Sequence, residues 1–338
     1  MSETIKVNFE HHQSAHCENG AVSNLLRFHK LVISEPMVFG IGSGLFFSYM
    51  PFVKLNGLPV VSYRILPGWI FSRVTKRLGI KMESRKFSSE KKAMEELDKV
   101  LAKGLPVGML TSVFYLPYLP PALRFHFNAH NIVVIGKAGN KYLVSDPVLE
   151  GIHEIEYEDL VRARFAKGTM PPKGRMYYPT SVPSKVDLRP AIVKGIKQTA
   201  TDMLTIPVPF FGLKGAKYLA KKMRNWPQKL GDRKAILYLG QVIRMQEEIG
   251  TGGAGFRFIF AAFLQEAATE LKQEWLRDVS KEVTAVGDRW RDFAFEAGRI
   301  CKGRSANEVS FNTLADIILE CAEREKEIFR KLKKISLN

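Results

Sequence analysis

Cysteine is the scarcest chemistry-bearing residue here: 338 residues hold only three, Cys17, Cys301 and Cys321. Three are too few for a disulfide framework, and no two stand at zinc-ligand spacing. Each is expected to be a free thiol in a reducing compartment. Cys301 and Cys321 fall inside helical apolar patterns and read as small buried hydrophobes. Long apolar runs are missing too. No stretch approaches the roughly 18 residues that a membrane helix needs. The greasiest, Leu45 to Val53, is broken by Ser48 and Pro51, so no transmembrane segment is expected. Met1-Ser2-Glu3-Thr4-Ile5-Lys6 lacks the layout of a secretory leader, which makes the cytoplasm the default location. There is no internal repeat and no low-complexity tract. Acid is in short supply, with 34 Asp and Glu against 51 Lys and Arg, a formal charge of +17. That excess favours an acidic partner, whether nucleic acid, anionic lipid or acidic protein.

What is present is the balance of a globular chain, 46% hydrophobic and 25% charged. Apolar positions Ala21, Val22, Leu25, Leu26, Val32 and Ile33 recur at helical spacing after Cys17. Pro59 to Ile65 and Val107 to Thr111 read as extended runs, with Glu90 to Lys103 an amphipathic helix ended by Gly104. Asn131 to Gly136 and Lys141 to Ser145 read as strands around a tight turn. Ile152 to Tyr157 gives another strand and Glu158 to Phe165 a short helix. A Pro- and Ser-rich stretch, from Pro171 to Ser184, marks the expected boundary. Beyond it the helices expected are Lys214 to Arg224, Lys234 to Ile249, Phe256 to Leu276, Val279 to Ala297 and Val309 to Lys334. The expectation is an α+β domain over residues 1–180 and an all-helical domain over residues 181–338.

A reactive cysteine needs a lowered pKa, a base within reach and a group to orient that base. Cys17 directly precedes the first helix, where backbone N–H groups and the helix dipole favour a thiolate and could help stabilise an oxyanion. Lys137-Ala138-Gly139 reads as a three-residue hairpin loop with Gly139 at positive φ. Counting outwards from that loop, 136 faces 140, 134 faces 142 and His130 faces Asp146. Opposed residues share a face, so Asp146 could accept the imidazole Nδ1–H and leave Nε2 to serve the thiol. A two-residue loop would instead put the pair on opposite faces.

Cysteine at a helix start, then histidine and aspartate on successive later strands, is the order of papain-like enzymes. The block from His130-Asn131-Ile132-Val133-Val134-Ile135-Gly136 through Asp146-Pro147 resembles that of bacteriocin-processing and other papain-like cysteine peptidases. With His16-Cys17-Glu18-Asn19-Gly20 and Gly40-Ile41-Gly42-Ser43-Gly44-Leu45, the chain resembles more closely the butirosin-biosynthesis acyltransferase (BtrH-type) family. Ile249-Gly250-Thr251-Gly252-Gly253 and Gly287-Asp288-Arg289-Trp290 resemble the uncharacterised helical domain often fused behind it. The resemblance implies a papain-like cysteine-protease-type domain followed by a helical one. It also implies Cys17, His130 and Asp146 as the catalytic triad, and acyl transfer from an acyl-carrier-protein thioester, through acyl-Cys17, to an amine or hydroxyl acceptor in secondary-metabolite or lipid biosynthesis. No cofactor of the chain's own is implied, because the phosphopantetheine rides on the acidic carrier, which the basic surface would steer. Papain-like enzymes usually place a glutamine about six residues before the cysteine as oxyanion donor. Here His11 holds that place and Gln13 is the nearest glutamine, so Gln13, His11 and Asn19 are all candidates.

Other signals are weaker. Gly42, Ser43 and Gly44 lack the Lys-Ser/Thr of a phosphate loop and read as a tight loop lining the substrate pocket. Gly252 and Gly253 read as an interhelical turn or as a backbone approach to substrate. His11, His12 and His16 complete no metal-ligand spacing, so no metal is expected. Phe114, Tyr115, Tyr118, Phe125 and Phe127 read as loop packing or as a wall for an acyl chain. A cysteine peptidase or amidase using the same triad is the alternative. A third reading is a non-enzymatic binder. Only Tyr218 and Trp226 interleave the basic stretch from Lys214 to Lys234, and no nucleic-acid motif appears. Nucleic acid is therefore not expected, while peripheral membrane contact stays open. Val309 to Lys334 is long enough to pair with a second copy as a homo-oligomer.

Overall fold

A computed structural model of the chain describes residues 4–55, 57–304 and 309–337; residues 1–3, which entered the leader reading, lie outside that set. In chain order the elements are β1 (Ile5–Lys6), α1 (Cys17–Phe28), α2 (Glu35–Ile41), β2 (Leu45–Leu55), β3 (Leu58–Arg64), α3 (Trp69–Arg77) and β4 (Lys81–Arg85). Next come α4 (Glu90–Leu101), β5 (Val107–Thr111), β6 (His130–Ala138), β7 (Lys141–Ser145), β8 (Ile152–Glu156), α5 (Tyr157–Arg164) and β9 (Met176–Ser181). The rest is helical: α6 (Arg189–Thr205), α7 (Gly212–Met223), α8 (Trp226–Leu230), α9 (Asp232–Glu247), α10 (Arg257–Leu271), α11 (Trp275–Cys301) and α12 (Phe311–Leu332). An antiparallel sheet with helices, followed by a helical region, is the α+β class expected. No described helix is long and apolar enough to cross a membrane.

The chain packs as two compact units, Met1–Val38 with Val74–Val186, and Phe39–Arg73 with Asp187–Asn338. A single boundary near residue 180 therefore does not describe the packing, because the β2–β3 hairpin belongs with the helices. The reason is aromatic. Phe47 and Tyr63 on the hairpin lie 6.1 and 5.7 Å from Trp290 of α11, and Tyr49 lies 6.4 Å from Trp226. An apolar hairpin face of this size is stable only when covered.

In the first unit, seven strands among the described residues form one sheet in the order β4-β9-β5-β6-β7-β8, with β1 paired to β6. β6 has neighbours on both sides and is buried from His130 to Gly136, as its unbroken run Ile132-Val133-Val134-Ile135 requires. Helix α1 is buried from Cys17 to Leu26. Helix α4 starts at Ser89, whose hydroxyl accepts from the Lys92 N–H at 3.3 Å, and buries Ala93, Met94, Leu97, Val100 and Leu101.

Two expectations need correction here. The Pro- and Ser-rich stretch is not a linker throughout: Met176–Ser181 forms β9, between β4 and β5. Pro179 is tolerated because the ladder slips there, between Lys81–Ser181 and Met82–Pro179. The helix expected over Phe256 to Leu276 ends at Leu271, where Lys272 turns left-handed (φ 54) and the Gln273 N–H closes onto the Ala268 carbonyl at 3.0 Å.

The second unit is centred on a buried ion pair. The Arg257 guanidinium donates to Glu325 at 2.8 and 3.3 Å, Trp290 Nε1–H donates to the same carboxylate at 2.9 Å, and Arg257 stacks 4.7 Å from the Trp290 ring. Removing one partner strands a buried charge, whereas replacing both with apolar groups does not. Arg257→Met is expected to cost about 3–5 kcal/mol in urea denaturation, with Arg257→Met/Glu325→Leu recovering more than half of it. A double variant as unstable as the single one would contradict this.

Candidate active site

The strands β6 and β7 are joined by a two-residue turn, Gly139-Asn140, with Gly139 at φ 61 and Ala138 paired to Lys141. The three-residue loop expected is not formed. On its own this change of register would send His130 and Asp146 to opposite faces. A β-bulge cancels it: the ladder steps from Gly136–Leu143 to Val134–Val144, leaving Ile135 as the extra residue. Beyond the bulge Val133 faces Ser145. Asp146, one step further, is thus the diagonal same-face neighbour of His130 rather than its direct opposite. The bulge is supported from the edge, where the Val7 N–H donates to the Ile135 carbonyl at 2.8 Å. Gly136 has no side chain because a Cβ there would stand 2.5 Å from the Ile5 carbonyl oxygen.

His130 Nε2 lies 2.7 Å from Asp146 Oδ2. The nitrogen reserved for the carboxylate is therefore Nε2, not Nδ1 as expected, and Nδ1 is left for the thiol. Cys17 lies on the other side of the imidazole, where a thiolate favours the proton on the ring. His130, Cys17 and Asp146 are all buried, at 4%, 7% and 0% exposure. Burial alone would strip His130 of its proton, but Asp146 and then Cys17 outweigh it and raise its pKa well above the ordinary imidazole value. Burial likewise opposes the Asp146 charge, yet His130, the Val148 N–H (3.2 Å) and the Tyr118 hydroxyl (3.1 Å) hold the carboxyl below its usual range. Tyr118 in turn stacks on His153 at 5.0 Å. Of the five aromatics preceding His130, it is the one that donates to Asp146.

The cysteine end is set by α1. His16 caps the helix, its Nδ1 accepting from the Asn19 N–H at 3.4 Å. The Glu35 carboxylate accepts from the Ala15 and His16 N–H groups at 2.9 and 2.7 Å and so fixes the turn into Cys17. Gly20 lets the helix meet the Asp146-Pro147 corner, since a Cβ there would stand 2.6 Å from both Pro147 and Ser14. Asn131 Nδ2 lies 4.0 Å from Cys17 Sγ, and its Oδ1 accepts from the Tyr177 hydroxyl at 2.8 Å, which orients the amide. Composition did not mark Asn131, Tyr177 or Glu35, and it read Tyr118 as packing or an acyl wall rather than as a partner of Asp146. The His130-Asn131 dipeptide at the strand start was the one available pointer.

Of the three oxyanion candidates, His11 and Gln13 are engaged elsewhere, whereas the buried Asn19 amide makes no hydrogen bond among the described residues. His11 is kept neutral by burial and spends both nitrogens, on the Ser145 hydroxyl at 2.8 Å and the Leu149 carbonyl at 3.0 Å. Gln13 is exposed, its amide donating to the Val148 carbonyl at 3.5 Å. Asn19 is buried with its side chain towards Glu35. Gly42, Ser43 and Gly44 belong to the other compact unit and form the tight end of α2. The Ser43 hydroxyl donates to the Gly195 carbonyl at 3.1 Å, and a Cβ on Gly44 would strike the Phe39 ring at 2.3 Å. Gly252 and Gly253, also in that unit, form a turn in which Thr251 Oγ1 accepts from the Gly253 N–H at 3.1 Å and Glu247 from the Ala254 N–H. Among the described residues, no three His, Cys, Asp or Glu side chains group to hold a metal ion.

These shifts give a pH signature. With His130 raised, its charge pairing contributes below about pH 6.5 and persists above it; with Asp146 lowered, its own pairing is lost only below about pH 3.8. Iodoacetamide should therefore alkylate Cys17 at a nearly constant rate from about pH 6 to about pH 8, and His130→Ala should make that rate climb roughly tenfold per unit, as for an ordinary thiol. Mass mapping separates Cys17 from Cys301 and Cys321, whose thiols burial pushes up. A wild-type rate that climbs like the variant's would contradict the pairing.

Residues 16–147 match the family described as butirosin biosynthesis protein H, N-terminal, and residues 158–332 match a domain of unknown function, DUF4872. No curated protein matches. Among solved structures, a C39-like peptidase from Bacillus anthracis is similar at 16% identity, over 54% of this chain and 100% of that one, with a TM-score of 0.38. In the first part the cysteine is helix-borne and the histidine sheet-borne. The chain belongs to the DUF4872 family, whose model matches more than half of it, and carries ahead of that match one to the butirosin biosynthesis protein H N-terminal model.

Proposed function

We propose that the chain is a cysteine-dependent acyltransferase in which Cys17 is the nucleophile, His130 the proton carrier and Asp146 its orienting group. The observation that carries the reading is the buried relay from the Asp146 carboxylate, through His130 at 2.7 Å, to the Cys17 thiol. The donor proposed is an acyl thioester on the phosphopantetheine arm of an acidic carrier protein, which suits a chain of charge +17.

In the first half-reaction the Cys17 thiolate attacks the thioester carbonyl. The carbonyl electrons move to oxygen and return as the carrier's sulfur leaves, taking the proton from His130. In the second, the acceptor amine or hydroxyl attacks acyl-Cys17 while neutral His130 takes its proton. Cys17 departs as thiolate and the starting charge pair is restored. The oxyanion formed in each step would be met by backbone N–H at the α1 N-terminus and by the Asn131 amide, a donor worth about 10²–10³ in rate. Water as acceptor turns the same chemistry into a thiol hydrolase.

Incubation with a carrier-bound acyl thioester is expected to add one acyl mass to the wild type and none to Cys17→Ala. Asn131→Ala should slow loading by about 10²-fold, and added salt should slow the wild type as steering is screened. Adding an amine acceptor should then clear the adduct faster than buffer alone. Clearance at the same rate in buffer would assign hydrolysis, and no adduct from any carrier thioester would overturn the reading.

A further inference from the structure

The second compact unit carries a feature that acyl transfer does not use. Helices α7 and α12 enclose, with the end of α6, a cavity of about 580 Å³, within the roughly 300–1,000 Å³ range of small-ligand sites. Lys214 and Lys217 reach it from α7. Lys326, Arg330, Lys333 and Lys334 reach it from the end of α12 and the residues just beyond. Leu204 and Leu213 supply apolar surface, and no carboxylate lines it.

Two carboxylates outside the lining answer part of this charge: Glu323 pairs with Lys217 and Lys326, and Glu327 with Arg330. Lys214, Lys333 and Lys334 have no ion pair among the described residues. The helix dipole explains the cations at the end of α12, where the C-terminal charge is negative. It does not explain Lys214. Helix α7 begins at Gly212, so Lys214 stands in its first turn, where the dipole is positive and where α7 has no acidic residue. A cation there is unfavourable in the free protein and becomes favourable when an anion occupies the cavity. The same helix start also directs backbone N–H groups towards such an anion. The spacing points the same way, since positions 326 and 330 fall on one face of α12 and Lys333 and Lys334 follow directly after its end.

We propose that this cavity binds a small ligand carrying two or more phosphate groups. Several separated cations suit several phosphates better than one, and the flanking leucines leave room for an apolar portion of the ligand. This site stands apart from the Cys17 chemistry and does not depend on it.

The test is calorimetric titration of the full chain at low ionic strength, with inorganic tripolyphosphate as the probe. One saturable site is expected. Lys214→Ala/Lys333→Ala/Lys334→Ala should weaken it at least about tenfold with an unchanged thermal midpoint. The charge-matched control Lys221→Ala/Lys229→Ala/Arg233→Ala should stay within about twofold, because its loss is only of long-range field. Should the cavity variant not fold, Lys214→Gln alone is read, and a loss of at least about threefold supports the site. ATP titrated in parallel shows whether the apolar surface adds affinity; binding of either probe through Lys214 supports the site. Absence of saturable binding, or equal weakening in both triple variants, would overturn the proposal. So would tighter binding of polyglutamate than of tripolyphosphate through the same lysines, which would assign the surface to an acidic protein.

Discussion

The charge on Asp146 is the constraint around which the first unit is arranged. A carboxylate with no exposed surface is expensive unless every lone pair is answered. Here the answers come from three separate places: the imidazole on β6, with Cys17 on its other side, the Tyr118 hydroxyl from the preceding loop, and the Val148 N–H beyond Pro147. The Val148 N–H is a local turn contact two residues on, whereas the imidazole and the Tyr118 hydroxyl come from distant chain. The imidazole shares the face of Asp146 because of the bulge at Ile135, which the Val7 N–H supports. His11 adds a further restraint by tying Ser145 to Leu149 on either side of the aspartate. The site is therefore rigid by construction, as a relay that must hold one tautomer requires.

Much of this was legible from residue types. A cysteine at a helix start, a histidine opening an apolar strand and an aspartate closing the next are local patterns, and they identified three side chains that the fold brings together. The register was not legible. The two-residue turn shifts the pairing by three positions and the bulge shifts it back by one, so their effects on face cancel. Neither leaves a compositional mark, because the bulged residue is another isoleucine in a run of β-branched residues. The choice of imidazole nitrogen followed from that register and changed with it. Tyr118, Asn131 and Glu35 act across 28, 114 and 19–20 residues of chain, distances over which spacing carries no signal. Of the hairpin β2–β3, only the second strand was recognisable as extended chain, and its destination depended on Trp290, more than 200 residues later.

In the helical unit, periodicity located most helices and missed what lies between them. Positive φ angles at Gly253, Ala254, Gly255 and Phe256 carry the chain into α10 so that Arg257 meets Glu325. The glycines read as a flexible turn are better understood as the backbone freedom that this buried pair demands. The basic residues behave differently. They looked like one solvated cluster in the sequence, yet the helices sort them: Lys214 and Lys217 converge with the end of α12, while Lys221, Lys229 and Arg233 do not line that cavity.

The protonation state of His130 is the most direct readout of the central claim. Long-range ¹H–¹⁵N correlation spectra of labelled protein distinguish an imidazolium, protonated on both nitrogens, from a neutral ring. At about pH 7, above the ordinary imidazole pKa of about 6.5, a thiolate and a carboxylate flanking the ring predict the imidazolium in the wild type. They also predict a clear fall in its pKa in Cys17→Ala. A neutral His130 in the wild type, or a pKa indifferent to the loss of the Cys17 sulfur, would contradict the charge pair on which the enzymatic reading stands.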